Sequence, residues 1–161
     1  MPIDKIVINA SPLILLFKSN LESILPQLFT EIIVPEAVWD EVLRGGGIAS
    51  QKLQSYESNW ITRGSIKISD EVLIWNLGDG ESEVLSWAYN NKDFRAVIDD
   101  RAARNCAKTL AIQTLGTGGI LVLAKKRNLI KSVGEALEKL QNVGLYISDE
   151  IIEMLKQQAG E

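Results

Sequence analysis

Short β-branched runs, each cut off by a turn and followed by a stretch of helix length, recur along the chain, and this alternation restricts its fold more than any other feature. KIVIN (5–9), EIIV (31–34) and RAVID (95–99) read as buried strands. SIKIS (65–69) reads as a weaker strand and IQTLG (112–116) as a short one. After the first run, Asn9-Ala10-Ser11-Pro12 predicts a helix that starts beyond the proline. Residues 13–29 read as one or two helices broken near Pro26, and Pro35 reads as the first residue of a helix to about Arg44. Gly45-Gly46-Gly47 ends that helix, and residues 49–59 are polar and helix-compatible. Gly78-Asp79-Gly80 opens another helix, with Asp79 a candidate N-cap, that runs to about Tyr89. Helices over 100–110 and 118–127, then two more between Ser132 and Gly160, complete the series.

Strands that alternate with helices in this way build βαβ units, hence a parallel sheet covered by helices on both faces. No repeat, linker or low-complexity segment divides the 161 residues, so one domain over 1–161 around one core is expected. Hydrophobic residues are 46% and charged residues 24%, too apolar a mixture for a disordered chain. Cys106 is the lone cysteine, so no internal disulfide is possible and a reducing cytoplasm suits the chain. The apolar stretch near the N-terminus is interrupted by Pro12 and too short for a membrane span, and no signal peptide is read.

Histidine is absent, which removes Ser-His-Asp and Cys-His triads and imidazole zinc sites, and leaves acid-base chemistry to carboxylates. The net charge of -4 argues against a broad basic clamp on nucleic acid, but not against contact through a bound metal or a local basic patch.

In a parallel sheet the functional crevice lies outside the carboxyl ends of the strands. Glu41 borders the apolar face of its helix, set by Val38 and Val42, whereas Glu36 and Asp40 share another face. It reads either as a functional acid or as a boundary glutamate tied to Arg44. Stepping back from the stripe of Val84, Leu85 and Ala88 reaches Glu81, while Glu83 is turned about 200° away. Glu81 faces the sheet, or simply favours the positive end of its helix. Capping explains one of Asp99-Asp100 and leaves the other for the crevice, with Arg101 and Arg104 set to counter the acids or meet phosphate. Gly116-Thr117-Gly118-Gly119 lacks the spacing of a phosphate loop and reads as a tight turn into a helix, with Thr117 free to cap it or reach the crevice. Lys125-Lys126-Arg127 reads as a solvated last turn. Three segments thus deliver acids to one end of the sheet, beside Asn9. Oxygen donors without histidine or thiol select Mg²⁺ or Mn²⁺.

INASPLILLFK, EIIVPEAVWDEVL, GDGESEVLSWA, AVIDDRAARNCAKTLAI, LGTGGILVLAKKRNLI and the closing AGE together resemble a PIN domain, in particular a branch akin to VapC-type toxins, along nearly the whole chain. The resemblance implies a Rossmann-like three-layer α/β/α sandwich and a Mg²⁺- or Mn²⁺-dependent ribonuclease site. It also implies frequent homodimers and an antitoxin protein as partner. The family's acidic positions fall on Asn9, Glu41, Glu81 and Asp99 or Asp100, with Asp99 favoured, and Thr117 matches a hydroxyl in the same crevice. Asn9 departs from the aspartate found in most active members. An amide still offers a carbonyl oxygen to a cation, but carries no charge. The expectation is therefore an endoribonuclease that uses metal-activated water; the alternative is a weak or inactive PIN fold that binds an antitoxin or RNA.

Overall fold

A computed structural model describes residues 4–161. The strands are β1 (Lys5–Ile8), β2 (Glu31–Pro35), β3 (Thr62–Gly64), β4 (Arg95–Val97) and β5 (Thr114–Leu115), all parallel, in the order β3-β2-β1-β4-β5. Helices flank the sheet to give a three-layer α/β/α fold. The three inner strands bury almost every side chain because both faces are covered: Ile6, Val7, Ile8, Ile32, Ile33, Val34, Ala96 and Val97 are all inaccessible or nearly so.

The helices are α1 (Ala10–Lys18), α2 (Ile24–Leu28), α3 (Glu36–Gly45), α4 (Gly47–Tyr56), α5 (Asp70–Leu73), α6 (Asp79–Asn90), α7 (Arg101–Thr109), α8 (Thr117–Lys126), α9 (Val133–Asn142) and α10 (Asp149–Gln158). Several differ from the reading of the sequence. α1 begins at Ala10, before Pro12, because a proline in the first turn lacks only an N–H that has no helical partner there. The break between α1 and α2 lies at Asn20, not Pro26. Asn20 takes a positive φ of 58°, and the Leu21 and Asn20 amides return to Leu16 and Phe17, a left-handed termination that asparagine tolerates. Pro26 sits inside the short α2. Pro35 is the last residue of β2, and α3 starts at Glu36.

The edge strand is Thr62–Gly64, not SIKIS. Its register pairs Ile33 with Thr62, Val34 with Arg63 and Pro35 with Gly64. Pro35 has no N–H to offer and the chain turns helical after it, so nothing remains to pair with residues 65–69. Ile66 and Ile68 pack against the core without entering the sheet.

β1 pairs with β2 on one side and β4 on the other. Connections run outward in opposite directions from this pair, which makes the carboxyl ends of β1 and β4 the switch point where such sheets open a crevice. The C-terminal helices are fastened to each other by the last residue. Glu161 accepts from the Val133 N–H at 2.5 Å, the Ser132 hydroxyl at 3.1 Å and the Gly134 N–H at 3.3 Å, and so caps the start of α9. The Val133 bond above all holds its carboxyl below the ordinary value of 4.5. A depressed acid stabilises the fold above its ordinary pKa, and that contribution is lost as pH falls through the folded value. Glu161→Gln is therefore expected to lower the Tm by about 2–4 °C at neutral pH, the loss of a cap costing about 1 kcal/mol. The gap between variant and unmodified protein should close as melting curves are taken at successively lower pH below 4.5.

Candidate metal centre

Asn9 follows β1 and is held at the switch point by its own backbone: its N–H donates to the Val97 carbonyl at 3.0 Å and its carbonyl accepts from Leu13. It occupies the N-cap of α1, where asparagine ordinarily turns its side chain onto the helix, yet it makes no capping bond. The residue is only 6% exposed, and no hydrogen bond to its amide is present among the described residues. What the amide does face is Gly80. A Cβ on Gly80 would stand 3.3 Å from Asn9 Oδ1 and 3.8 Å from Glu41 Oε1. The bare glycine thus leaves open a point on which an amide oxygen and a carboxylate oxygen both converge. Neither amide atom of Asn9 is cut off from solvent, so this point is polar and open to water or to a cation.

Glu41 projects from α3 into this opening, exposed, and forms no ion pair with Arg44 among the described residues. Glu81 comes from the first turn of α6. Gly78, not Asp79, is the N-cap, and its N–H donates to Glu81 Oε2 at 2.9 Å. Burial raises the pKa of Glu81, and the nearby charges of Asp100 and then Glu41 raise it further against the opposing Gly78 bond. Glu81 is therefore repelled by both of the other carboxylates. Glu83 lies elsewhere on α6: it accepts from the Ala37 N–H at 3.3 Å and ties α6 to the start of α3.

The adjacent aspartates divide the work. Asp100 is the N-cap of α7 and accepts from the Ala103 N–H at 2.9 Å. Asp99 turns the other way, where Oδ1 accepts from the Thr117 N–H at 2.9 Å and Oδ2 from the Thr117 hydroxyl at 2.5 Å. Thr117, 1% exposed, thus reaches the crevice, while Gly116 is the N-cap of α8. The glycines of this turn answer to packing: a Cβ on Gly118 would meet Leu155 of α10 at 2.6 Å, and one on Gly116 would crowd both Asp99 and Arg104 at 3.1 Å. Arg104 donates to the Ile98 carbonyl at 3.2 Å, behind Asp99.

The donors suit a hard dication in kind: an amide oxygen and several carboxylates, with no imidazole. As they stand, however, no three acidic or thiol side chains among the described residues form a ready-made metal-holding group. The reason is local. Glu81, Asp100 and Asp99 are each drawn to a neighbouring N–H, and the central position is a neutral asparagine. Nor is any helix long and apolar enough to cross a membrane among the described residues.

A family model described as a PIN domain matches residues 5–161. No match was found among curated proteins or among solved structures.

Proposed function

Because the chain belongs to the PIN-domain family, whose fold is of the nuclease type, we propose that it is a divalent-metal-dependent endoribonuclease. The observation that carries this reading is the convergence of Asn9 Oδ1 and Glu41 Oε1 on one opening at Gly80, beside Glu81, which the charges of Asp100 and Glu41 repel. Asn9 Oδ1, Glu41, Glu81 and Asp99 or Asp100 would hold Mg²⁺ or Mn²⁺. When bound, the ion stabilises charge on the attacked phosphate and lowers the pKa of a water nucleophile. Thr117 fixes the direction of the Asp99 carboxylate through two bonds, which leaves that group's remaining lone pairs toward the crevice. Burial and the charges of Asp100 and Glu41 disfavour ionisation of Glu81, and a bound dication would offset that repulsion. The resemblance to VapC-type toxins supports a homodimer and an antitoxin protein as further parts of this proposal.

A second reading, a PIN fold that binds an antitoxin or RNA without cutting, is favoured by the neutral Asn9 and by the absence of a ready-made acidic triad among the described residues. Titration with Mn²⁺ separates the two. Saturation at a hundred times the dissociation constant contributes about 2.7 kcal/mol, so the Tm is expected to rise by roughly 5–10 °C, with Mn²⁺-dependent cleavage of a structured RNA. If neither appears, and Asn9→Asp restores neither, the nuclease reading falls.

A further inference from the structure

Beside Asp99 the crevice continues into a groove of about 590 Å³ between the start of α8 and the connection from α9 to α10. One wall is polar and shared with the candidate centre: Asp99, Arg104 and Thr117. The floor is apolar, formed by Leu115, Leu145 and Leu155, and at the rim stands Tyr146, whose side chain is wholly exposed at 101%. An exposed aromatic ring at the edge of an apolar groove that a guanidinium also lines has the makings of a site for a flat apolar ring joined to an anion.

The charges around it run the same way. Arg101, Arg104 and Lys108 lie at i, i+3 and i+7 on the exposed side of α7, a row about 10 Å long. None of the three is ion-paired among the described residues. On the other side of Asn9, the groove of about 540 Å³ between α3 and α6 is lined by Asp40, Glu41 and Asp79 against the single cation Arg44. A polyanion is repelled there and accepted along α7.

We propose that the groove beside Asp99 receives one unpaired nucleotide of an RNA strand, its base stacked on Tyr146 and its phosphate at Arg104. The identity of the strand as RNA rests on the nuclease reading. The strand is then single, because a duplex keeps its bases stacked on one another and cannot offer one to Tyr146. It is gripped from one side of the cut, the side where a ring and cations without ion pairs among the described residues lie together.

The test is the anisotropy of a short fluorescein-labelled single-stranded RNA in EDTA, where no metal-dependent cleavage interferes. Tyr146→Ala is expected to weaken binding about tenfold, the order found for loss of one base stack. Tyr146→Phe should retain the affinity, and binding of the same strand annealed into a duplex should be equal for all three proteins. Because the ring is fully exposed, the melting temperature should not move. Equal affinity of Tyr146→Ala and the unmodified protein for the single strand, or no binding by either, overturns the proposal. Should binding depend on Tyr146 while Mn²⁺ elicits no cleavage, the subsite stands and the nuclease reading falls. Should the unmodified protein cleave with a KM that Tyr146→Ala leaves unchanged, the reverse holds.

Discussion

In Mn²⁺, Glu81→Gln is expected to cleave RNA at least about a hundredfold more slowly than the unmodified chain, a loss at the upper end of that seen when groups merely supporting metal ligands are removed. The same substitution should act oppositely on stability. Burial and the charges of Asp100 and Glu41 disfavour the Glu81 carboxylate, whereas a glutamine keeps an oxygen for the Gly78 N–H and carries no charge. In EDTA at neutral pH the variant is therefore expected to melt higher than the unmodified protein, and the stabilisation by Mn²⁺ should shrink or vanish. A purely structural Glu81, serving only as the inner bond of the α6 start, predicts a different pair of results: an unchanged cleavage rate and no change in metal response. Measured side by side, cleavage rate and melting curves with and without Mn²⁺ distinguish these two accounts. Glu41→Gln supplies the control for a ligand with no capping bond, and should lower activity with little effect on metal-free stability.

Asn9 makes the outcome sharper. It faces the same opening as Glu41, and being neutral it adds nothing to the repulsion that Asp100 and Glu41 exert on Glu81. A dication bound here gains less from the site than it would from three acids, yet the apoprotein is correspondingly easier to fold.

How far the sequence carried this picture depends on whether a signal was local. The buried strands KIVIN, EIIV and RAVID are legible because β-branched runs with turns at both ends have few alternatives. Glu81 and Glu83 are separable by helical phase alone. For Asp99-Asp100 the sequence indicates that one caps and one does not, but the choice depends on Thr117, eighteen residues on in the chain. SIKIS misleads because its alternation is correct for a strand while the place of an edge strand is fixed by its partner, and the partner ends at Pro35. Tyr146 carries no signal at all. It lies between Leu145 and Ile147 in a connection that has no periodicity to single it out, and the packing of Leu155 onto Gly118 brings that connection beside Asp99. Fold class is written in periodicities, whereas the groove is a product of tertiary contact.

The same limit applies to the largest stability effect we expect. Glu22 and Lys52 are ordinary surface residues by type, and nothing in their spacing predicts that they meet. In the fold Glu22 is 6% exposed, with Oε1 accepting from Lys52 Nζ at 2.8 Å. Lys52 also donates to the Phe17 carbonyl at 2.8 Å and to Asn20 Oδ1 at 2.6 Å, so its three protons join α4 to the left-handed end of α1 and the segment before α2. Glu22 is less well served: the Tyr56 hydroxyl lies 3.4 Å from Oε1, and Oε2 has no partner. Lys52→Met keeps the length of the side chain but removes the cation from a nearly buried carboxylate, and should cost about 3 kcal/mol, a fall in Tm of roughly 6–12 °C. Glu22→Gln removes the charge while the lysine keeps two acceptors, and should cost less. Replacing both, as Glu22→Leu with Lys52→Met, should recover most of the loss, because an apolar pair of similar volume leaves no buried charge behind. Urea melts of Lys52→Met, Glu22→Leu and the double variant test this, and strict additivity of the two single losses would show that the pair does not act as a unit.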